Sequence, residues 1–99
     1  MSTIKWMPSA LEDLQNIQEY ISRDSVFYAN KFVDDVFDAT KRLEFFPKSG
    51  RVVPEFGIDT IREIIYGSYR IIYELIDNNV QILTVIHGKK LLYDYDIEN

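Results

Sequence analysis

The sequence predicts an α+β fold, a helical hairpin packed on one face of a mainly antiparallel four-stranded sheet in the order β-α-α-β-β-β. Three observations carry it. Residues 61–87 are rich in β-branched and aromatic side chains and are punctuated by Gly67-Ser68 and Asn78-Asn79. Residues 9–46 carry two apolar stripes at steps of three and four, broken at Asp24-Ser25. Ile4-Lys5-Trp6 is a short apolar stretch ahead of Pro8 that can join the sheet and cover an edge.

In chain order, Ser9 is the N-cap candidate of the first helix. Glu12, three residues on, completes a capping box, and Pro8 stands just outside. Ala10, Leu14, Ile17 and Ile21 form its apolar stripe, which runs to about Arg23. Asp24-Ser25 gives a second capping signal. Ala29, Phe32, Val33, Val36, Phe37, Thr40 and Leu43 then define a second helix, from about Val26 to Phe46, stopped by Pro47. A connection this short makes the helices antiparallel. Residues 47–60 hold two prolines and two glycines and form the one long irregular segment. Segments of that length are often functional.

Three strands follow: Ile61–Tyr66, Tyr69–Asp77 and Val80–His87. Two-residue loops fix their register. With Gly67-Ser68 as the first loop, Arg70 faces Ile65 and Ile72 faces Glu63. With Asn78-Asn79 as the second, Arg70 faces His87, Ile72 faces Val85 and Glu74 faces Leu83. On this register Arg70, Glu63 and His87 share one open face. Tyr69, Ile71, Tyr73, Leu75, Ile64, Ile82 and Ile86 share the face packed on the helices. Arg62 falls on that helix side and is expected to pair with a helix carboxylate. Arg70→Ala is then an ordinary surface change, within about 0.5 kcal/mol.

Ninety-nine residues suit one domain spanning 1–99, with an apolar fraction of 46% that belongs to a folded chain. No cysteine is present, which removes disulfide and thiolate chemistry. No apolar run reaches the ~18 residues of a membrane span, and the expected location is cytoplasmic. The net charge of −5 argues against broad nucleic-acid affinity. Residues 1–40 hold three basic and seven acidic side chains, whereas residues 41–70 hold six basic and four acidic, so the middle block alone leans positive. Residues 93–99 form an acidic, tyrosine-bearing tail.

The one histidine and the lack of cysteine leave no metal-ligand spacing, so no metal and no cofactor are expected. The remaining candidate chemistry is the cluster of Arg70, His87 and Glu63, with Lys89 and Lys90 beyond the strand end. RNA strand cleavage needs a base for the 2′-hydroxyl, cations for the developing phosphorane and an acid for the leaving oxygen. Glu63, Glu55 or His87 fits the base, Arg70 with a lysine the clamp, and His87 the acid. A plainer reading, an Arg70–Glu63 cross-strand ion pair worth a few tenths of a kcal/mol, ranks ahead on spacing alone. Arg51 and Glu55 read first as loop anchors. Tyr20, Phe27, Tyr28 and Phe45 include more aromatics than one helical stripe can bury, which marks them for a partner.

The ordered set Phe46-Pro47, Gly50-Arg51, Arg62-Glu63, Tyr69-Arg70-Ile71-Ile72-Tyr73, Val80-Gln81-Ile82-Leu83 and His87-Gly88 resembles the RelE/ParE toxin superfamily, from Trp6 to Lys90. The resemblance implies the toxin of a type II toxin–antitoxin module, held inactive by a cognate antitoxin in a hetero-oligomer. RelE-like members cut ribosome-bound mRNA with basic strand residues and the arginine of the Tyr-Arg strand. Here Arg70 and Gly88-Lys89-Lys90 match that pattern, but Ile61 and Glu63 stand at the lysine positions. Arg62-Glu63 and His87-Gly88 are more similar to the ParE-like, plasmid-stabilisation branch, which is associated with inhibition of DNA gyrase. The resemblance therefore implies gyrase or the ribosome as target, with Arg51, Glu55, Arg70, Lys89 and Lys90 on the target side.

Overall fold

A computed structural model describes residues 1–92; the acidic tail at 93–99 lies outside the described residues. The order is β1 (Ile4–Trp6), α1 (Pro8–Ser22), α2 (Val26–Lys41), a 3₁₀ turn (Arg42–Glu44), β2 (Arg51–Val52), β3 (Ile61–Tyr66), β4 (Tyr69–Ile76) and β5 (Asn79–His87). The strands form one mixed sheet in the order β1-β5-β4-β3-β2. It has five strands where the sequence suggests four. The addition is β2, whose two residues pair antiparallel with β3 inside the long irregular segment. A two-residue strand carries no periodicity to read. β1 lies parallel to β5, with Ile4 opposite Val80.

The helices follow their stripes. Ala10, Leu14, Phe32, Val36 and Leu43 pack with Ile64, Ile71, Tyr73, Val80, Ile82 and Val85 in the main core. Trp6 joins at its edge, its ring 4.9 Å from that of Phe37. Burying each large apolar side chain here is worth about 1.5–3 kcal/mol. Ser25 caps α2 by accepting the Tyr28 N–H at 3.1 Å. The start of α1 differs from the capping-box expectation. Pro8 is its first helical residue and Met7 the cap, without a side-chain bond. Proline suits that position because its missing N–H has no helical partner there. Ser9 is inside the helix and donates its hydroxyl to the Leu83 carbonyl at 3.2 Å. The regular part of α2 ends at Lys41 rather than near Phe46, because the chain tightens into the 3₁₀ turn.

The first hairpin has the expected register, with Arg70 opposite Ile65 and Ile72 opposite Glu63. The second does not. Its loop is Asp77-Asn78, with Asp77 in the left-handed region at φ 57°. Ile76 therefore faces Asn79, and one extra β5 residue, Leu83, enters between the Tyr73–Ile82 and Ile72–Thr84 pairs. Such a bulge changes which side chains point to which face. Arg70 lies opposite Ile86 and Tyr69 opposite His87. Ile86 leaves the helix side and packs with Val53, Ile72 and Leu92 in a second, smaller core on the other face. That face is covered by residues 51–60 and 88–92, not open. Among the described residues, no helix is long and apolar enough to cross a membrane.

The segment ahead of β2 is locked from beneath by Tyr73. Its hydroxyl donates to the Pro47 carbonyl at 2.8 Å and accepts the Gly50 N–H at 3.0 Å. A Cβ at residue 50 would lie 2.5 Å from the Glu63 carbonyl and 2.6 Å from that hydroxyl. Gly50→Ala should therefore destabilise the fold by about 1–3 kcal/mol, the usual cost of overpacking. Urea unfolding checks this, and an unchanged midpoint would mean the lock is loose.

Candidate functional site

The side chains singled out as functional gather at the outer face of β3 and β4, where strand pairing places Arg51, Glu63 and Arg70. Glu63 faces Arg51 across one ladder, and Ile65, two residues on, faces Arg70 across the other. Glu55 reaches in from the loop after β2. Arg70 is 5% exposed and Glu63 is 1% exposed. A buried charge must be paired and hydrogen-bonded, and this one is both. Arg70 Nε donates to Glu63 Oε1 at 2.7 Å, and Nη2 lies 2.6 Å from the same oxygen. Nη1 and Nη2 grip the two Glu55 oxygens at 2.6 and 2.7 Å. Nη1 also donates to the Lys90 carbonyl at 3.1 Å. These contacts draw on all three guanidinium nitrogens.

Each carboxylate oxygen also accepts at least one hydrogen bond. Glu63 Oε2 takes the Nε–H of Arg51, whose side chain is otherwise 61% exposed. Glu55 Oε2 also accepts the Leu92 N–H at 3.1 Å. Two arginines and two glutamates leave the cluster formally neutral. The hydrogen bonds from Arg70 hold the Glu55 carboxyl down to about 2, against the opposing effect of burial, with the Leu92 N–H adding to the same direction. The same bond from the Glu55 side raises the Arg70 pKa above its ordinary value.

The structure brings Arg70, Glu63, Glu55 and Arg51 together and leaves His87 apart. His87 stands beside Tyr69, ring centroids 5.5 Å apart, and its Nδ1 accepts the Lys89 N–H at 3.2 Å. The shifted second hairpin is the reason. Arg70 is likewise not the open-face residue expected. Removing one partner of a buried ion pair costs about 3–5 kcal/mol, so the near-neutral Arg70→Ala expectation does not apply. The Arg70–Glu63 pair exists, but in a buried network with Glu55, not as an exposed cross-strand contact. Arg62 also differs: its partners are Asp59 at 2.7 Å and the Gly50 and Lys48 carbonyls at 2.9 and 3.2 Å, all in the irregular segment, with no helix carboxylate.

Beside the cluster lies an open groove of about 710 Å³. Arg51, Pro54 and Glu55 form one wall, Ile65 and Gly67 to Arg70 another, and His87 to Lys89 with Leu91 the third. Lys89 and Lys90 are exposed at its end of the molecule. Sequence reasoning missed the Glu55–Arg70 fork, the Tyr73 lock and the burial of Leu92. The apolar pair Leu91-Leu92 after the last strand was the signal for the last of these.

Comparison with known proteins fixes the family. A family model described as the ParE toxin of the type II toxin–antitoxin system, parDE, matches residues 4–92. The chain belongs to the ParE toxin family. No curated protein matches it. Among solved structures, a chain of the chromosomal ParDE toxin–antitoxin system from P. aeruginosa superposes with a TM-score of 0.73 at 22% identity. The alignment covers 90% of this chain and 98% of that one. A chain of the toxin–antitoxin complex RelBE2 from Mycobacterium tuberculosis superposes at 0.57, also at 22% identity, covering 87% and 96%. Both likenesses show the shared ParE/RelE fold of two helices on a sheet.

The cluster has a pH signature. The folded-state pKa of Glu55, about 2, lies below its ordinary 4.5. The stability it contributes is therefore complete above about pH 4.5 and is lost as pH falls toward 2. Unfolding free energy measured across that window should fall in the wild type, and Glu55→Gln should flatten part of the slope. Identical slopes would show that Glu55 is not held by Arg70.

Proposed function

We propose that this ParE-family chain is a growth-inhibiting toxin of a type II toxin–antitoxin, plasmid-stabilisation module. It acts in the cytoplasm by inhibiting DNA gyrase, without nuclease chemistry of its own, and is neutralised by a cognate antitoxin. One observation carries the choice of mechanism. Arg70 donates from all three of its nitrogens, each oxygen of Glu63 and Glu55 accepts a hydrogen bond, and His87 lies outside the cluster. A phosphorane clamp needs donors free to meet developing charge, and a base needs a carboxylate that takes a proton readily, which the Arg70 bonds that hold Glu55 down to about 2 oppose. Engaging RNA here would require breaking a buried network.

A binding function suits the same features. Arg51 and Lys89 are exposed on the walls of the outer groove, and Lys90 is exposed beside it. These three face the target, while Glu55 and Arg70 hold that face in shape. The antitoxin takes the opposite side. Tyr20, Phe27, Tyr28 and Phe45 are 63–70% exposed, and the first three sit near the tip of the helical hairpin. Exposed aromatics of this kind anchor partner segments. An extended partner segment could also add to the outer edge of β1.

Expression without a partner, followed by a gyrase supercoiling assay and mapping of mRNA ends, tests the reading. Growth arrest, lost supercoiling and intact mRNA are expected. Ribosome-dependent mRNA cuts with normal supercoiling would establish a RelE-like ribonuclease instead. A folded protein that causes no arrest would be a non-toxic binding module.

A further inference from the structure

The ladder between β2 and β3 sets Arg51 opposite Glu63, and the Gly50 backbone just ahead of it is held by the Tyr73 hydroxyl. The Arg51 side chain therefore starts from a fixed point. Its Nε–H is taken by Glu63 Oε2, and the Glu63 side chain is fully buried. The rest of the guanidinium is at the surface. Among the described residues, no hydrogen bond reaches its Nη1 or Nη2. A guanidinium held at Nε keeps a planar pair of nitrogens that matches the two oxygens of a carboxylate. Arg51 lines the outer groove together with exposed Ile65, Leu91 and Lys89. Glu55, the carboxylate on the same wall, has both oxygens bonded to Arg70.

We propose that the outer groove binds an acidic-aliphatic peptide segment. The Arg51 fork takes an Asp or Glu carboxylate through Nη1 and Nη2, and Ile65 and Leu91 take the aliphatic side chain beside it. Charge complementarity selects this class of ligand. Arg51 and Lys89 favour an anion, and the exposed aliphatic surface beside them favours an apolar side chain over a sugar or phosphate. A nucleic-acid strand needs a track of cations along its backbone. This groove instead sets its cations among aliphatic side chains, on a chain of net charge −5. Because Nε is already held by Glu63, little side-chain freedom is lost when the fork engages. The inference rests on the binding reading above for its biological role, and it names the chemistry of the segment bound.

An array of synthetic pentapeptides tests it with the intact chain. One half carries Asp or Glu at the centre beside Leu, Ile or Val. The other half is identical except for Asn or Gln at the centre. Acidic peptides should bind about tenfold or more tighter than their amide counterparts, the difference a charged hydrogen-bonded pair makes. Arg51→Lys keeps the charge and removes the fork, and should lose about tenfold in binding the acidic peptides. Ile65→Ser changes an exposed side chain on another wall, and should weaken the same peptides by about fivefold. Equal binding of acidic and amide peptides, binding of neither, or full retention by either variant would overturn the proposal. So would an oligouridylate strand bound more tightly than every peptide. Gyrase takes no part in this experiment. Peptide binding by a chain that leaves supercoiling normal would fell the gyrase reading and leave this one standing.

Discussion

The buried guanidinium of Arg70 is the constraint on which the outer half of this structure depends. Its position is set by strand pairing in the middle of the sheet, where water cannot solvate it. A cation there must find anions and acceptors, and five N–H groups must be met. Glu63 is two residue pairs away on β3 and meets it from the sheet. Glu55 and the Lys90 carbonyl have to be brought in by chain segments with no sheet pairing of their own. The fold thus draws the loop after β2 and residues 88–92 onto the same face, and their apolar residues Val53, Phe56 and Leu92 close over Ile72 and Ile86.

Other contacts prepare that arrangement. Tyr73 holds Pro47 and Gly50, and Arg62 gathers Lys48, Gly50 and Asp59, so the irregular segment is fixed on both sides of Glu55. Arg51 then shares Glu63 from the surface. The result is a neutral, desolvated cluster beneath a groove whose exposed cations are at the rim. In a toxin family whose relatives share a fold, chemistry depends on which donors stay free. Here the central arginine is committed to structure.

Much of the architecture was legible because it rests on local signals. Helical spacing marked both helices, Ser25 marked the cap of α2, and Gly67-Ser68 marked a hairpin whose every pair was derivable. The second hairpin resisted for two physical reasons. Asp77 takes the left-handed conformation as readily as the asparagines beside it, so the loop could sit one residue earlier than Asn78-Asn79. The bulge at Leu83 then moved Ile86 and His87 to faces that strict alternation does not give them. The family was legible from the ordered set of short motifs. The cluster was half legible: Arg70 and Glu63 were placed together, but burial was not, because it depends on segments whose path over the sheet has no periodicity.

The central claim is that Arg70 and Glu63 form a structural pair within a buried network. A double-mutant cycle with Arg70→Gln and Glu63→Gln, read by urea unfolding, tests it most directly. The account predicts that each single change destabilises the fold and that the two couple by about 1 kcal/mol or more, as residues in one buried network do. Additive effects within about 0.3–0.5 kcal/mol, the behaviour of independent sites, would contradict it.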